Sequence, residues 1–329
     1  MKTSASFALA AIASLASALP AGTSDQVSGT VATRASTTDA PVGYASQNGG
    51  TTGGAGGTTT TVSSLAQFTA AVKATEPMVI FVKGTIKGNA QGRVASDKSI
   101  LGLDSSSKLE GVSLYIKDVS NVIVRNLAMS KVLADTGDAI GIQASQNVWI
   151  DHMDLSSDMS HDKDYYDGLC DVTHASEWVT ISNTKFHDHW KSSLVGHSDS
   201  NADEDTGHLH VTYANNHWVN INSRAPSVRF GMAHIFNNYF DTIDTGVNTR
   251  MGAKVLIEST VFAGTRKAIQ AADSDTKGTA EVKDVVLGGG SNDAPSGSFG
   301  SVPYQYTLLG SSKVKAAVVG VAGNTLKLS

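Results

Sequence analysis

The sequence predicts an all-β protein whose strands stack as a parallel β-helix, and three observations predict it. Short segments with alternating apolar residues follow one another without a helical pattern between them. Glycine is abundant, with 32 residues against 6 prolines, which suits many tight turns. Each strand-like segment also ends in a polar residue, and these residues recur at steps of 26, 31, 32, 22 and 22: Asn126, His152, Asn183, Asn215, Asn237 and Ser259.

The N-terminus predicts a secretory signal peptide over residues 1–18. Lys2 precedes an apolar run from Phe7 to Leu19, and Ala16-Ser17-Ala18 fits a cleavage site. The run is too short to span a bilayer. Residues 19–62 are rich in glycine, serine and threonine, so they predict an N-terminal arm. The composition leaves open whether this arm is a mobile linker or lies extended on the body of the protein.

A short helix is predicted at the start of the main domain, residues 63–329. Ser64 and Gln67 have the spacing of a capping box and precede an amphipathic stretch that ends before Pro77. We expect this helix to cap one end of the stack, where it would cover an otherwise exposed strand edge.

The repeat has a base period of 22 residues, and its longer steps predict insertions at residues 156–174 and 187–207. Loops inserted on one side of a solenoid commonly form its binding surface. The recurring polar residues should lie above one another, because each coil stacks on the last. We therefore expect Asn126, Asn183, Asn215 and Asn237 to form one inward row that hydrogen-bonds along the stack.

Composition excludes several classes of protein. The formal net charge of -5 and the pI near 6.0 argue against a nucleic-acid-binding protein. A single cysteine, Cys170, excludes an intramolecular disulfide, and we expect a reduced core thiol whose pKa the adjacent acid raises. No G-x-S-x-G motif occurs, so a serine hydrolase of that type is not supported.

Acidic residues are concentrated in one part of the chain. Nine acids and one base, Lys163, lie between residues 135 and 171. Such a run can be a solvated surface. However, Asp138, Asp167 and Asp171 occur at coil turns, and oxygen-only clusters suit a hard cation such as calcium. The nine acids are Asp135, Asp138, Asp151, Asp154, Asp158, Asp162, Asp164, Asp167 and Asp171.

Two histidine pairs raise the alternative of a zinc site, since residues two apart share a strand face. These pairs are His187 with His189 and His208 with His210, and neither has a third ligand at recognisable spacing. His152 belongs to the polar row, where we expect a structural role.

Three basic residues follow the acidic segment by one and two coils: Lys191, Arg224 and Arg229. Stacking could bring them beside the acidic turn despite a separation of about fifty residues. Each could equally be an ordinary solvated cation, although Arg224 and Arg229 flank a proline turn on the same side.

Several of these motifs together resemble the pectate lyases of polysaccharide lyase family 1, most closely the secreted fungal members. They are the run Asn147–His152, the turn from Asp167 to Asp171 and the segment from Arg224 to Arg229, in that order. The resemblance implies a right-handed single-stranded parallel β-helix and calcium-dependent β-elimination of polygalacturonate. It also implies a secreted protein that binds no nucleic acid or membrane and is a monomer.

The resemblance also implies roles for individual residues. Asp138, Asp167 and Asp171 fall where the family binds calcium. Arg224 matches the catalytic arginine, whereas Lys191 and Arg229 match residues that bind substrate. One departure is Thr136, where family members often carry a further acid. Asp135 lies one residue earlier, so its part in the metal site stays open.

Three other functions remain possible on the sequence. A pectin lyase would cleave methylated pectin without calcium, and the retained Asp167 and Asp171 argue against it. A polygalacturonase-like hydrolase would use carboxylates alone and would leave Lys191, Arg224 and Arg229 without a role. A solenoid that only binds carbohydrate has the same fold, which therefore does not exclude it.

Overall fold

A computed structural model describes Met1, residues 34–35 and residues 39–328. The chain divides into two units, Met1–Val31 and Ala32–Ser329, and the fold reported below is that of the second. Apart from Met1, the predicted signal peptide lies outside the described residues. No helix in the described part of the chain has both the length and the apolar character needed to cross a membrane.

The body of the protein is a right-handed parallel β-helix, as predicted. The coils after the first contribute strands to three parallel rows, called here sheets A, B and C in chain order, whereas the first coil contributes only the sheet A strand Thr58–Val62. Sheet A contains Thr58–Val62, Met78–Val82, Lys98–Gly102, Ser120–Arg125, Gln146–Asp151, Glu177–Ser182, His210–Ala214, Met232–Phe236, Lys254–Ala263 and Thr279–Val286.

Sheets B and C follow in each coil, and three long strands, Thr85–Val94, Lys108–Lys117 and Lys254–Ala263, bend from one row into the next. Sheet B continues with Ala128–Ser130, Asp154–Ser156, Lys185–Lys191, His217–Ser223 and Tyr239–Ile243. Sheet C continues with Ile140–Gln143, Cys170–Thr173, Leu194–Val195, Ser227–Arg229, Thr245–Arg250, Lys267–Gln270 and Ser291–Asn292.

The strand register of sheet A agrees with the repeat found in the sequence. The residues predicted to be equivalent are paired on adjacent strands: Val122, Val148, Val179, Val211, Ala233 and Val255. All six are buried. The parallel stack extends from Thr58 to Asn292, so it begins before the boundary at residue 63 predicted from composition. That first strand reads TTTTV, and its threonines favour β-structure although they resemble a linker.

The predicted polar row occupies the bend between sheets A and B, where every member has a positive φ of 46–58°. L-residues rarely adopt this left-handed conformation, and asparagine tolerates it better than most. The Asn237 side chain donates to Asn215 at 3.1 Å and to the Thr307 carbonyl at 2.9 Å. These bonds link the row to its neighbours and to the C-terminal segment, so the expected inward orientation was wrong.

The hydrogen-bonded ladder that faces the core lies one residue later. Asn216 accepts a hydrogen bond from the Thr184 backbone N–H at 2.9 Å and donates to the Ile181 carbonyl at 2.9 Å. Asn238 accepts from the Asn216 N–H at 3.2 Å. All three polar side chains are fully buried. The ladder therefore satisfies polar backbone groups inside the stack, where water is absent.

Aromatic side chains stack along the inner face of sheet B. Phe186, Trp218, Phe240 and Phe262 occupy matching positions on four adjacent strands. Their ring centroids are 4.1, 5.5 and 4.4 Å apart, with interplanar angles of 6–12°. All four are fully buried, so this column supplies much of the apolar packing in the central coils.

The predicted capping helix is present as Leu65–Lys73, and it covers the first coils. The Ser64 hydroxyl accepts from the Gln67 N–H at 3.3 Å, while the Gln67 side chain accepts from the Ser63 N–H at 3.0 Å. Phe68 is fully buried beneath the helix. Two further helices, Ala202–Asp205 and Ser311–Val318, and two 3-10 turns, Gly43–Ser46 and Ala134–Thr136, complete the helical structure of the described residues.

The N-terminal arm lies on the outside of sheet A from Asp39 onward. The N–H groups of Tyr44 and Ala45 donate to the hydroxyls of Thr212 and Thr180, each at 3.0 Å. Gly43 has a φ of 71°, and a Cβ there would lie 2.5 Å from the Thr212 hydroxyl oxygen. Only glycine fits so close an approach. This part of the arm is therefore fixed to the body by hydrogen bonds.

The C-terminal segment also returns across the outer side of the coils. The side chain of Asn126 donates to the Leu326 carbonyl at 3.0 Å and accepts from its N–H at 2.9 Å. The strands Arg34–Ala35 and Lys327–Leu328 form a parallel pair, so the arm and the C-terminal segment meet.

A buried polar network fastens the same segment to sheet A. His234 Nδ1 lies 2.8 Å from the Tyr304 hydroxyl, and His234 Nε2 lies 3.1 Å from the Glu258 carboxylate. Tyr304 also contacts the Thr212 hydroxyl at 2.8 Å, which in turn accepts from the Tyr44 N–H. The network therefore connects both chain-end segments through one sheet.

Candidate active site

The predicted site residues lie on four successive coils at the turn between sheets B and C. Asp138 precedes the strand Ile140–Gln143, and Asp171 belongs to the next strand of sheet C. Lys191 ends a strand of sheet B one coil later, and Arg224 directly follows the strand after that. The segment 157–169, which overlaps the predicted insertion at 156–174, lies at the same turn between sheets B and C. The segment 196–209, which overlaps the predicted insertion at 187–207, instead follows the sheet C strand Leu194–Val195.

Two carboxyl groups meet at the centre of this region. Asp138 lies close enough to Asp171 for its charge to raise the Asp171 pKa, and the Gly168 N–H donates to Asp138 at 2.9 Å. The Leu194 N–H donates to Asp171 at 3.0 Å. A Cβ on Gly168 would lie 2.5 Å from a carboxylate oxygen of Asp171 and 2.7 Å from one of Asp138. The backbone at residue 168 therefore packs directly against the pair, and a side chain there would displace it.

The two acids are in an environment that favours their neutral forms. Burial raises the pKa of Asp138 to about 6, and the charge of Asp167 adds to the effect. Burial, followed by the charge of Asp138, raises the pKa of Asp171 well above its usual value. Arg224 lowers both pKa values but does not outweigh burial. A bound cation would relieve the repulsion between these carboxylates.

Asp167, the third predicted metal ligand, is oriented toward a lysine. Lys191 Nζ lies 3.3 Å from Asp167 and 3.1 Å from Asp164. The Asp167 carbonyl is fixed by the buried His189, whose Nε2 lies 2.7 Å away. Asp167 is close enough to Asp138 to raise its pKa. The structure thus brings two of the three predicted ligands into direct contact and places the third beside them.

Arg224 has an unusual backbone and a free side chain. Its φ of 60° lies in the left-handed region, which costs a residue with a Cβ about 1 kcal/mol. Its carbonyl accepts from the Ser193 N–H at 2.7 Å and from the Ser192 hydroxyl at 2.6 Å, which holds this conformation. Within the described part of the chain, its guanidinium forms neither a hydrogen bond nor an ion pair. It is therefore available to a ligand beside the two acids.

Arg229, by contrast, already has a partner. Its Nε pairs with Asp199, and its Nη1 donates to the Gly196 carbonyl at 2.8 Å. Arg250 lies beside it in register on the next strand and contacts the same Asp199 carboxylate at 3.2 Å. The site thus contains a second cluster in which one acid bridges two arginines.

Asp199 and Arg250 are not among the site residues predicted from the sequence. Arg250 could have been found, because it follows Arg229 by 21 residues, close to the repeat period, and pairs with it in register. Asp199 lies in an inserted segment that has no repeat, so no sequence signal indicated it. Asp135 is exposed in the 3-10 turn Ala134–Thr136.

The zinc alternative finds no support in the geometry. Among the described residues, no group of three or more histidine, cysteine, aspartate or glutamate side chains is arranged to hold a metal ion. His187 pairs with Asp154 and Asp188, whereas His189 contacts Ser157 and the Asp167 carbonyl.

The second histidine pair and the lone cysteine are likewise accounted for. His208 and His210 both contact the Glu177 carboxylate, at 3.0 and 2.7 Å. Cys170 is fully buried, and burial followed by the charge of Asp171 raises its pKa, as the sequence predicted. Neither feature requires a metal ion or a nucleophile.

Comparison with known proteins identifies relatives over nearly the whole chain. The sequence profile of a family described as pectate lyase matches residues 8–323. A probable pectate lyase A from Aspergillus fumigatus is 58% identical over 99% of this chain and 100% of its own length. Pectate lyase B from Colletotrichum gloeosporioides is 62% identical over 94% of this chain and 93% of its own.

Solved structures agree with the sequence comparison. A pectate lyase from a Bacillus species, crystallised in complex with trigalacturonate, superposes with a TM-score of 0.79 and 32% identity. The match covers 87% of this chain and 99% of that structure.

Proposed function

The chain belongs to the pectate lyase family, and from this premise we propose that it cleaves polygalacturonate by calcium-dependent β-elimination. Membership makes it a polysaccharide lyase. The observation that carries the finer proposal is the pairing of the buried Asp171 with the half-buried Asp138, beside the unpartnered guanidinium of Arg224. Acid and base side chains from different coils converge there, as an elimination on an anionic sugar requires.

The donor set suits calcium. Asp138 and Asp171 offer carboxylate oxygens only, and Asp167 lies beside them, paired with Lys191. As they stand, these described side chains are not grouped to hold an ion together, so the proposed binding requires Asp167 to leave Lys191. Two adjacent carboxyl groups, one buried and one half-buried, need a compensating positive charge to be ionised together. We propose that these three residues hold the ion. Bound calcium would supply charge neutralisation to a substrate carboxylate, and waters would complete its coordination.

The proposed reaction removes the proton from the carbon beside a uronate carboxylate. The electrons of that C–H bond form the new carbon–carbon double bond, and the glycosidic C–O bond breaks. The departing oxygen takes a proton from water. We propose that Arg224 in its neutral form accepts this proton. At minimum, a protonated Arg224 donates hydrogen bonds to the developing negative charge, and solvent water takes the proton. Its lack of a protein partner supports this role.

Lys191 and Arg229 are proposed to bind substrate carboxylates. Lys191 would exchange Asp164 and Asp167 for a uronate, and Arg229 would share its guanidinium between Asp199 and the substrate. The trigalacturonate bound by the Bacillus relative supports a galacturonan substrate. We further propose that the protein is secreted as a monomer and degrades plant cell-wall pectin, in line with its signal-like N-terminus.

One assay tests the reaction type and its dependence on calcium. Polygalacturonate is incubated with the protein, and ultraviolet absorbance is followed with and without a calcium chelator. Elimination creates an absorbing unsaturated uronide, which the chelator should abolish. Reducing ends without absorbance would indicate a hydrolase instead. Activity on methylated pectin that persists with the chelator would indicate a pectin lyase.

Asp171→Ala provides the matched test of the metal site. We expect about a hundredfold or greater loss of activity at ordinary calcium concentrations, with partial recovery at excess calcium, because the remaining ligands bind more weakly. Asp203→Ala removes an exposed acid on the helix Ala202–Asp205 and serves as the control. Full activity of Asp171→Ala in the presence of chelator would contradict the calcium proposal.

A further inference from the structure

The outward face of sheet C continues on the N-terminal side of the paired acids. Strand register places Arg93, Tyr115, Gly141 and Asp171 in one line across four adjacent strands. Adjacent strands are about 4.8 Å apart, so Arg93 lies about 14 Å from Asp171 at the level of the backbone. This line extends from the candidate active site across three coils.

Tyr115 and Arg93 form a small platform at the far end of the line. The Tyr115 hydroxyl donates to Gln143 at 3.0 Å, which fixes the ring. The guanidinium of Arg93 lies 5.6 Å from the ring centroid. Arg93 is exposed, and no acidic partner for it occurs among residues 39–328. Arg93 is therefore an exposed positive charge that no acidic side chain among these residues neutralises.

Gly141 keeps the path between the platform and the acids open. A Cβ at this position would lie 3.4 Å from an Asp138 oxygen and 3.8 Å from the Tyr115 ring. A larger side chain would therefore fill the gap between them. The gap belongs to a cavity of about 60 Å³, whose lining includes Tyr115, Thr136, Asp138 and Gly141.

The chemistry of this face suits an acidic sugar. Its outward residues on the three strands before Asp171 are Gln91, Arg93, Ser113, Tyr115, Lys117, Gly141 and Gln143, and none of these seven is acidic. Amides and hydroxyls can bind sugar hydroxyls, and an aromatic ring packs against the apolar face of a pyranose. A guanidinium binds a carboxylate through paired hydrogen bonds.

We propose that Arg93 and Tyr115 form a distal subsite that binds a further uronate unit of the same polysaccharide chain. The inference rests on the proposed function, since it assumes a galacturonan that occupies the paired acids. Arg93 pairs with the uronate carboxylate, and Tyr115 supports the ring. A substrate long enough to extend from the acids to Arg93 gains this contact, and a shorter one does not.

The subsite should act on binding rather than on the chemical step. Arg93 lies far from the bond that breaks, so its contact has the same strength in the ground state and in the transition state. Loss of such uniform binding raises KM and leaves kcat unchanged. The partly exposed position limits the effect to about threefold to tenfold in kcat/KM.

The experiment compares wild type, Arg93→Ala and Arg93→Lys on galacturonate oligomers from the trimer upward and on polygalacturonate. Initial rates of unsaturated product give kcat and KM for each length. We expect the ratio of kcat/KM between Arg93→Ala and wild type to be close to one for the trimer and to fall to between a third and a tenth for the polymer. Arg93→Lys should recover part of the loss.

Lys254→Ala, which removes an exposed cation on sheet A, is the control and should behave as wild type at every length. An unchanged ratio for Arg93→Ala at all lengths would overturn the subsite. An equal loss at all lengths, or a loss in kcat, would overturn its distal position. Failure of the wild type to form unsaturated product from any substrate would instead overturn the proposed function.

Discussion

Lowering the pH should reduce the free energy of unfolding through one buried residue, His234. Its imidazole is fully buried beneath the C-terminal segment and contacts Tyr304 and Glu258. Burial lowers its pKa to about 4, because the surroundings penalise the charged form more than Glu258 favours it. The charge of Lys283 lowers the pKa further. The folded protein therefore holds His234 neutral at pH values where the unfolded chain already binds a proton.

The size of the effect follows from the two pKa values. The unfolded chain titrates this group near 6.5 and the folded protein near 4. Between these values the unfolded state carries more protons, so the free energy of unfolding falls as the pH falls. The contribution of His234 to stability should decrease by about 2 kcal/mol between pH 7 and pH 5, and by about 3 kcal/mol at pH 4.

Urea unfolding of wild type and His234→Gln at pH 7 and pH 5 measures this contribution. Glutamine does not titrate. The variant therefore lacks the pH-dependent contribution of His234 to the free energy of unfolding, even if it is less stable at both pH values. Other titrating groups, including His217 with its similarly lowered pKa, cancel in the comparison. The loss of stability between the two pH values should be about 2 kcal/mol larger for wild type.

Equal losses for the two proteins would contradict a lowered pKa of His234 in the folded state. That result would mean that His234 titrates alike in the folded and unfolded states. The network with Tyr304 and Glu258 would then tolerate a charged imidazole, and burial would not control its protonation.

Other changes test the ladder and the candidate site. Asn216→Ala should lower the free energy of unfolding in urea by about 1–3 kcal/mol, because the Ile181 carbonyl loses its buried donor. Asn215→Ala, at the half-buried neighbouring position, should cost less, and the reverse order would contradict the assignment of the ladder. Arg224→Lys should lower kcat on polygalacturonate about a hundredfold. Arg229→Lys should mainly raise KM. Near-normal turnover of Arg224→Lys would mean that Arg224 only binds substrate and does not take part in the chemical step.

The stacking of the coils could be predicted because it depends on one feature, the burial of apolar residues that alternate along each strand. Alternating apolar residues recur with the coil, and the strand register reproduces that alignment in sheet A. The ladder could not be placed to the residue, since asparagine suits both a left-handed bend and a buried hydrogen-bonded position. In the adjacent pairs Asn215-Asn216 and Asn237-Asn238, the first asparagine adopts the left-handed bend and the second forms the buried hydrogen bonds.

The candidate site was predictable in its residues and less so in their partners. Asp138 and Asp171 are 33 residues apart, and the solenoid makes them neighbours. Electrostatic partners depend instead on loop paths. Asp199, which pairs with Arg229, lies in an insertion that lacks the repeat, so its position follows from tertiary packing alone.

The contact between Asn126 and Leu326 has a consequence for biosynthesis. A ribosome makes the coil that contains Asn126 long before it makes Leu326, which follows 200 residues later. The central coils can stack during translation because each needs only its predecessor. The outer bonds of Asn126 and the parallel pair at Arg34–Ala35 cannot form until the segment that contains Leu326 and Lys327–Leu328 has left the exit tunnel. Emergence of this segment is therefore the step that allows the outer contacts of the arm and of Asn126 to form.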